Sequence, residues 1–322
     1  MGHDRLDKAQ VQDLTLFFCV GATKAGTSWL HSQLQAHPEC HLKSIKELHY
    51  FSMTQPRQFE RALKTAQVDA VAAQVKAQNA APEKRDYAGR RAQDLTEWCE
   101  VLKQGLGAHD RYLAYLSKGV GRRHVIGDVT PGYSLMPAET LTMMGQLTPD
   151  VRFVYLMRDP VERLWSHIRM VCARAERTSF EAGNLQAGNV EAGNVEAGNF
   201  EAGSLRLIEA ILAGEVSNEI TGILKRGDYC AIMDKLDRAV PATHRLVAYY
   251  EDMFAPGGLN PICDFLGIAA MIPAVETKVH AGMPLTLTPD LVARTRAFLQ
   301  PQYAGVRQRL GAVPPNWAQN AA

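Results

Sequence analysis

The chain has 322 residues, 46% of them apolar and 21% charged, which is enough to bury a full hydrophobic core and is an ordinary composition for a globular protein. The formal net charge is +1, so composition gives no general affinity for nucleic acid, and a site for an anionic ligand has to be built locally. The six cysteines are scattered without a C-x-x-C pair, which argues against both a disulfide framework and a zinc site.

The N-terminal residues are polar and lack the apolar stretch of a signal peptide. No apolar run elsewhere reaches the length that spans a membrane. We therefore expect a cytoplasmic protein that binds neither nucleic acid nor metal; its oligomeric state is left open by the sequence.

Four apolar runs along the chain predict the buried strands of a parallel sheet. They cover residues 14–20, 124–130, 151–157 and 245–251. Helical patterns follow the strands, for example at residues 138–147 and 161–177. Because strands that alternate with helices are typical of α/β proteins, we predict a single domain over residues 1–322, with a central parallel sheet flanked by helices in three layers.

Two further segments stand apart from this alternation. Residues 58–117 carry mostly helical patterns and are predicted to cover the sheet as an insertion. Residues 181–204 repeat with a period of five and faintly resemble pentapeptide-repeat β-helices, but the repeat is too short for a solenoid. Since the segment is rich in Gly and Asn, we predict a flexible surface loop.

The stretch GATKAGTS, directly after the first predicted strand, has the spacing of a phosphate-binding loop. Gly21 and Gly26 match the Walker form G-x-x-x-x-G-K-[ST], and Ser28 keeps its hydroxyl, but Thr27 replaces the lysine. Lys24 lies inside the loop instead. A strand, glycine loop and helix present backbone N–H groups and the positive end of the helix dipole, which favours a phosphate. The alternative is a tight turn whose glycines serve only the backbone.

A second candidate anion site follows the third predicted strand, in RDPVERLWS. Pro160 suits the first position of a helix and Asp159 its cap. Arg158 then lies at the carboxyl edge of the sheet, where open α/β sheets bind ligands, and Ser166 lies about two turns along the helix. A guanidinium and a hydroxyl make a second anion pocket, so the two sites fit a nucleotide phosphorylated at two positions. The alternatives are a helix-start salt bridge for Arg158 and a solvated Ser166.

Together the two motifs resemble those of the sulfotransferases that use 3′-phosphoadenosine 5′-phosphosulfate (PAPS), above all the heparan-sulfate type and its bacterial relatives. KAGTSWL resembles the family's 5′-phosphosulfate loop, which implies donor-binding roles for Lys24, Ala25, Gly26, Thr27, Ser28 and Trp29. RDPVERLWS resembles the 3′-phosphate motif, which implies the same for Arg158 and Ser166. The resemblance covers nearly the whole chain and implies a P-loop-like fold.

KELHYF resembles the segment that carries the family's catalytic glutamate, which falls on Glu47. The resemblance implies in-line transfer of a sulfuryl group from PAPS to a hydroxyl or amine, with Glu47 as the base, Lys24 at the bridging oxygen and no metal ion. His49 would share a face of an extended segment with Glu47 and is a further catalytic candidate. The alternative for Glu47 is a surface carboxylate paired with Lys46 or Lys43. The alternative for His49 is a buried histidine of the core.

A carbohydrate hydroxyl is the acceptor that the resemblance favours, with a lipid headgroup or a small metabolite left open. GDVTPGYS resembles the family's G-E-x-[ST]-P-x-Y segment, with Asp128 as its acid. Val129 stands where animal heparan-sulfate enzymes often carry a lysine, which argues against a strongly anionic glycosaminoglycan. Two other function classes compete: a P-loop kinase or NTPase with Asp128 or Asp159 as its Walker B acid, disfavoured by the displaced lysine, and a non-catalytic nucleotide-binding scaffold.

Overall fold

The computed structural model describes Val11 and residues 13–187, 197–273 and 286–320. Its centre is a sheet of five parallel strands in the order β2–β3–β1–β4–β5. The strands are β1 (Thr15–Gly21), β2 (Cys40–Leu42), β3 (Val125–Val129), β4 (Asp150–Met157) and β5 (Arg245–Tyr249). The predicted α/β fold with a central parallel sheet flanked by helices is confirmed.

The two central strands show why their sequences carry continuous apolar runs. All seven residues of β1 are buried, and β4 is buried along most of its length. Helices on both faces of a parallel sheet remove the alternation of apolar and polar side chains. The sequence analysis missed β2, because three residues are too few to carry a period-two pattern.

The helices of the described chain surround this sheet. They are α1 (Thr27–Ala36), α2 (Pro56–Gln78), α3 (Pro82–Gln104), α4 (His109–Ser117), α5 (Ala138–Met144), α6 (Pro160–Ala187), α7 (Ala197–Leu212), α8 (Asn218–Lys225), α9 (Tyr229–Ala239), α10 (Asn260–Leu266), α11 (Pro289–Leu310) and α12 (Pro315–Asn320). The predicted helical cover between the first two long strands is confirmed by α2, α3 and α4, and the buried small residues Ala66, Ala70 and Ala73 let α2 pack closely on α3.

The prediction of a surface loop over residues 181–204 is wrong for the parts that the structure describes. Helix α6 runs through the start of the repeat to Ala187, and α7 begins inside its end at Ala197; residues 188–196 lie outside the described residues. Phe200 and Ser204 are buried on α7, which packs against α6. The packing of α7 against α6 therefore overrides the low helix propensity of Gly and Asn.

A substitution at Phe200 tests whether α7 belongs to the folded core. Because its side chain is fully buried, Phe200→Ala should lower the free energy of unfolding by about 3 kcal/mol. The exposed neighbour Glu201 provides the matched control, and Glu201→Ala should change stability by no more than about 0.5 kcal/mol. Urea unfolding of the wild type and the two variants measures both changes in stability. If all three proteins are equally stable, the start of α7 does not belong to the folded core.

The strand order explains where a ligand site can form. The chain leaves β1 towards β2 on one side of the sheet, and it leaves β4 towards β5 on the other side. Loops after β1 and β4 therefore diverge and open a crevice at the carboxyl edge of the sheet, the usual ligand site of such folds. Among the described residues, none of the helices is both long and apolar enough to cross a membrane.

Candidate active site

The loop after β1 leads into α1 and leaves several backbone donors without partners. Gly26 precedes the helix with φ 82°, and its cap position has no side-chain hydrogen bond. Within the described chain, the N–H groups of Gly26, Thr27 and Ser28 donate to no other backbone group. Unsatisfied N–H groups at a helix N-terminus, together with the helix dipole, make a site for an anion.

Two residues of the predicted donor set have different roles in the structure. The N–H of Ala25 donates to the Ala22 carbonyl at 3.1 Å, and that of Trp29 donates to the Gly26 carbonyl at 3.0 Å. The indole of Trp29 is only 4% exposed and packs on Phe254, with the ring centres 4.6 Å apart. Ala25 and Trp29 therefore hold the shape of the loop and offer no free backbone donor to a ligand.

Lys24 is the cation of this loop. Its backbone adopts a left-handed conformation with φ 73°, which is uncommon for a residue other than glycine and costs about 1–3 kcal/mol. Its side chain is half-buried and makes no hydrogen bond or ion pair with the described residues. Burial, and then the charges of Arg158 and Arg169, lower the pKa of Lys24. An anion bound here would relieve that repulsion.

The segment after β4 has the geometry that the sequence predicts. Helix α6 begins at Pro160, and Asp159 caps it by accepting a hydrogen bond from the N–H of Glu162 at 3.0 Å. Arg158 Nη2 lies 3.1 Å from Glu162 Oε2, so the alternative of a helix-start salt bridge is also present. Glu162 is 59% exposed, and an exposed pair of this kind contributes little and is easily exchanged for a ligand. Ser166 is half-buried on the same helix.

Three distant elements fix the backbone at the start of α6. The Tyr229 hydroxyl on α9 accepts from the Arg158 N–H at 3.2 Å and donates to the Arg158 carbonyl at 2.6 Å. Tyr303 on α11 donates to Asp159 Oδ2 at 2.9 Å, and Glu251 accepts from the Asp159 N–H at 2.8 Å. Side chains far apart in sequence thus position the arginine, and local motifs alone do not specify these contacts.

Tyr250 lies against both candidate anion sites and was missed by the sequence analysis. It follows β5, and the Arg158 guanidinium lies 4.6 Å from the centre of its ring. A Cβ atom added to Gly26 would lie only 2.5 Å from Tyr250 Cδ2, so glycine is required for this close approach as well as for its φ. The usable signal was an aromatic pair at the end of a predicted strand, at the sheet edge where ligands bind.

The segment between β2 and the turn at Tyr50–Ser52 carries the acceptor-side candidates. Glu47 and His49 both have left-handed backbones, with φ 64° and 55°, and with Lys24 they are the positive-φ residues other than glycine in the described chain. Glu47 N–H donates to the Val129 carbonyl at 3.1 Å, and His49 Cε1 would lie 3.0 Å from a Cβ atom at Gly132. The three predicted catalytic residues are thus the strained ones, as is common at functional sites.

Glu47 lies between two basic side chains, those of Lys46 and His49. Its Oε1 lies 2.5 Å from Lys46 Nζ, and its Oε2 lies 3.6 Å from His49 Nε2. Burial opposes the charge on the carboxylate, but the nearby ring of His49 and the charge and hydrogen bond of Lys46 outweigh it and lower the pKa of Glu47 to about 2. The pairing with Lys46 that the sequence left open is therefore present, and the Glu47 side chain remains 44% exposed.

Asp128, the acid of the GDVTPGYS segment, has a structural environment. It is buried and accepts hydrogen bonds from the hydroxyls of Tyr112, Thr130 and Tyr133 at 2.7–2.8 Å. Burial raises the pKa of Asp128 in spite of these hydrogen bonds. A carboxyl group that accepts hydrogen bonds from three hydroxyl groups fixes the turn against which His49 lies.

The electrostatic field around Lys24 is positive, and the sequence analysis missed some of the basic residues that produce it. Besides Arg158, the charges that lower the pKa of Lys24 come from Arg169, Arg174 and Lys46. Arg169 follows Ser166 by three residues, so both lie on one face of α6. That spacing is the signal that predicts Arg169 as part of the site. In the described chain, no group of three or more His, Cys, Asp or Glu side chains is placed to hold a metal ion.

A central parallel sheet between layers of helices, with a glycine loop that joins its first strand to a helix, defines a P-loop-like fold. The chain belongs to the sulfotransferase family, whose model matches residues 17–207. Membership supports an enzyme that transfers a sulfuryl group, and it favours this class over the kinase and scaffold alternatives. No curated protein matches the sequence significantly.

The chain was also compared with solved structures, one of which supports the fold. The chain is similar to a sulfotransferase from Alicyclobacillus acidocaldarius, with 21% identity and a TM-score of 0.57 over 94% of this chain and 98% of that one. The sulfotransferase domain from the curacin biosynthetic pathway is less similar, with 15% identity and a TM-score of 0.43 over 87% and 77% of the two chains. That of the Synechococcus PCC 7002 olefin synthase has 18% identity and a TM-score of 0.44 over 88% and 94%.

Proposed function

We propose that the protein transfers the sulfuryl group of PAPS to a hydroxyl or amine of an acceptor, with a carbohydrate as the first candidate, and releases adenosine 3′,5′-bisphosphate. The observation that carries the proposal is the pairing of two anion sites in one crevice, joined by Tyr250. The unsatisfied N–H groups of α1 and the uncompensated charge of Lys24 fit a 5′-phosphosulfate. Arg158 and Ser166 fit a 3′-phosphate.

In this proposal Lys24 acts on the donor side of the reaction. Transfer breaks the bond between sulfur and the bridging oxygen, and the electron pair stays on the 5′-phosphate of the bisphosphate. Lys24 stabilises the negative charge that develops on that oxygen, in a half-buried site where such an interaction is stronger than in water. The N–H groups at the start of α1 hold the phosphate in place meanwhile.

Glu47 acts on the acceptor side. The acceptor oxygen or nitrogen forms the new bond to sulfur as it loses its proton, and Glu47 takes that proton. His49 lies beside Glu47 and orients the carboxylate through its ring nitrogen. Both side chains are about half exposed, which leaves room for a bulky acceptor such as a saccharide to approach from solvent.

Turnover with labelled PAPS tests the proposed reaction. The protein should form sulfated product and the bisphosphate without added metal when it is offered a panel of saccharides, lipid headgroups and small hydroxyl compounds. Mg²⁺-dependent release of phosphate from ATP provides the contrasting assay, since a kinase or NTPase requires the metal. ATP turnover without PAPS turnover, or PAPS binding without any transfer, would contradict the proposal.

The 3′-phosphate assignment has its own test in Arg158→Ala. Loss of the charge-assisted hydrogen bonds should weaken binding of adenosine 3′,5′-bisphosphate by about 10–100-fold. The affinity for AMP, which has no 3′-phosphate, should stay near its original value. Calorimetry with both nucleotides measures the two effects, and the exposed Arg85→Ala on α3 is the control. Equal losses for both nucleotides would show that Arg158 does not bind the 3′ group.

A further inference from the structure

The ion pair between Lys46 and Glu47 depends on a strained backbone. Side chains of adjacent residues in an extended segment point to opposite sides. The left-handed conformation of Glu47 breaks that alternation, so both side chains turn to the same side and their charged atoms lie 2.5 Å apart. The hydrogen bond from the Glu47 N–H to the Val129 carbonyl holds this conformation in place. The surrounding fold thus brings the side chains of Lys46 and Glu47 into contact, whereas in an extended segment they would point to opposite sides.

Lys46 also lies near the loop that holds the donor. Its side chain is 17% exposed, and its charge is among those that lower the pKa of Lys24. It also acts on His31 of α1, whose pKa burial and the Lys46 charge lower to about 4. The ammonium groups of Lys24 and Lys46 therefore repel each other, and of the two, within the described chain, only that of Lys46 has a carboxylate partner.

The same pair conflicts with the role of Glu47 in the proposed reaction. A carboxylate with a pKa of about 2 is fully ionised but is a weak acceptor of a proton. A general base works best when its pKa is nearer the operating pH. If the Lys46 ammonium left Glu47, one of the groups that stabilise the ionised carboxylate would be gone, while burial would continue to favour its protonation.

We propose that Lys46 exchanges partners: it pairs with Glu47 while the donor is absent, and it binds the sulfonate oxygens of the bound donor, which releases Glu47 to take the acceptor's proton. The exchange is local, since the Glu47 N–H donates to Val129 of β3, and Val129 lies opposite Cys19 of β1, the strand that leads into the Lys24 loop. Lys46 is then a binding residue for the group that is transferred and a positioning residue for the base. This inference rests on the proposed function, because it requires a sulfonate beyond the 5′-phosphate.

Nucleotide binding to Lys46→Met separates the sulfonate from the rest of the donor. The affinity for PAPS should fall about tenfold or more, because a charge-assisted contact is lost. The affinity for adenosine 3′,5′-bisphosphate, which has no sulfonate, should fall no more than about twofold, or rise. Lys103→Met is the matched control, since Lys103 also pairs with a nearby glutamate, Glu100 at 2.6 Å, but on the surface of α3. Equal losses for both nucleotides would overturn the inference.

The titration of Glu47 distinguishes the exchange of partners from a purely structural role of Lys46. A structural Lys46 would leave the pKa of Glu47 unchanged when the donor binds. With ¹³C-labelled glutamate carboxyl groups, and Glu47→Gln to assign the signal, Glu47 of the free protein should not titrate above about pH 4. Saturating PAPS should move its titration upward, and saturating bisphosphate should not. Lys46→Met should show the upward shift without any nucleotide. A Glu47 titration that is the same in the free and PAPS-bound protein would exclude the exchange of partners.

The outcomes distinguish this inference from the proposed function. If the wild-type protein does not bind PAPS, both fail. If it binds and turns over PAPS while Lys46→Met weakens both nucleotides equally and leaves the Glu47 titration unchanged, only the role of Lys46 fails. Sulfuryl transfer through Glu47 would then proceed with the Lys46 pair intact.

Discussion

Glu47→Gln should lower kcat by about 10²–10⁴-fold, while the affinity for adenosine 3′,5′-bisphosphate stays near that of the wild type. Glutamine keeps the shape of the side chain and a hydrogen-bonding group, but it cannot take a proton from the acceptor. The Glu47 side chain is 44% exposed, and the amide oxygen of glutamine can still accept the hydrogen bond that Lys46 Nζ donates. The measurement is the rate of PAPS-dependent product formation, with the bisphosphate dissociation constant determined for the same preparations.

The control for this substitution is Glu83→Gln, at an exposed position on α3. It should change neither the rate nor the affinity. If Glu47→Gln retains turnover within a few-fold of the wild type, then Glu47 is not the base. His49 would be the next residue to test, because its ring lies beside the same carboxylate. A loss of nucleotide affinity equal to the loss of rate would instead place Glu47 in the donor site.

Lys24→Met should slow product formation by about 10²–10³-fold, the usual effect of removing one group that stabilises charge in a transition state. Methionine keeps much of the aliphatic side chain and the left-handed strain at this position, so the comparison isolates the ammonium group. In contrast to Glu47→Gln, this substitution removes a group from the donor side, and binding of both PAPS and the bisphosphate should weaken as well.

Pre-steady-state turnover at saturating PAPS separates the two effects of Lys24→Met. The rate of the chemical step should remain low after the binding defect has been overcome, and Lys103→Met should behave as the wild type. Full recovery of the rate at high PAPS would show that Lys24 binds the donor in its ground state and does not stabilise the developing charge. The two substitutions therefore divide the reaction into its donor side and its acceptor side.

Several parts of the molecule follow directly from local sequence. The apolar runs that become β1, β3 and β4 can be recognised from local sequence, because burial on both faces demands continuous apolar residues. The run that becomes β5 was also predicted to be buried, but as an edge strand it is only half-buried. Asp159 and Pro160 predict the start of α6 for the same local reason, since a cap and a fixed φ act within one turn of the helix. The spacing of Gly21, Gly26 and Ser28 likewise predicts a loop at the carboxyl edge of the sheet.

Other features were decided only when distant segments met. The conformation of residues 181–187 and 197–204 depends on packing between α6 and α7, which local propensity opposes. Tyr250 enters the site because β5 lies next to β4, and the strain at Glu47 depends on the Val129 carbonyl of β3. The sequence thus determined the fold class and the identity of the candidate groups. Tertiary structure determined their charge state and their partners, because burial and electrostatic contact depend on what surrounds a side chain in space.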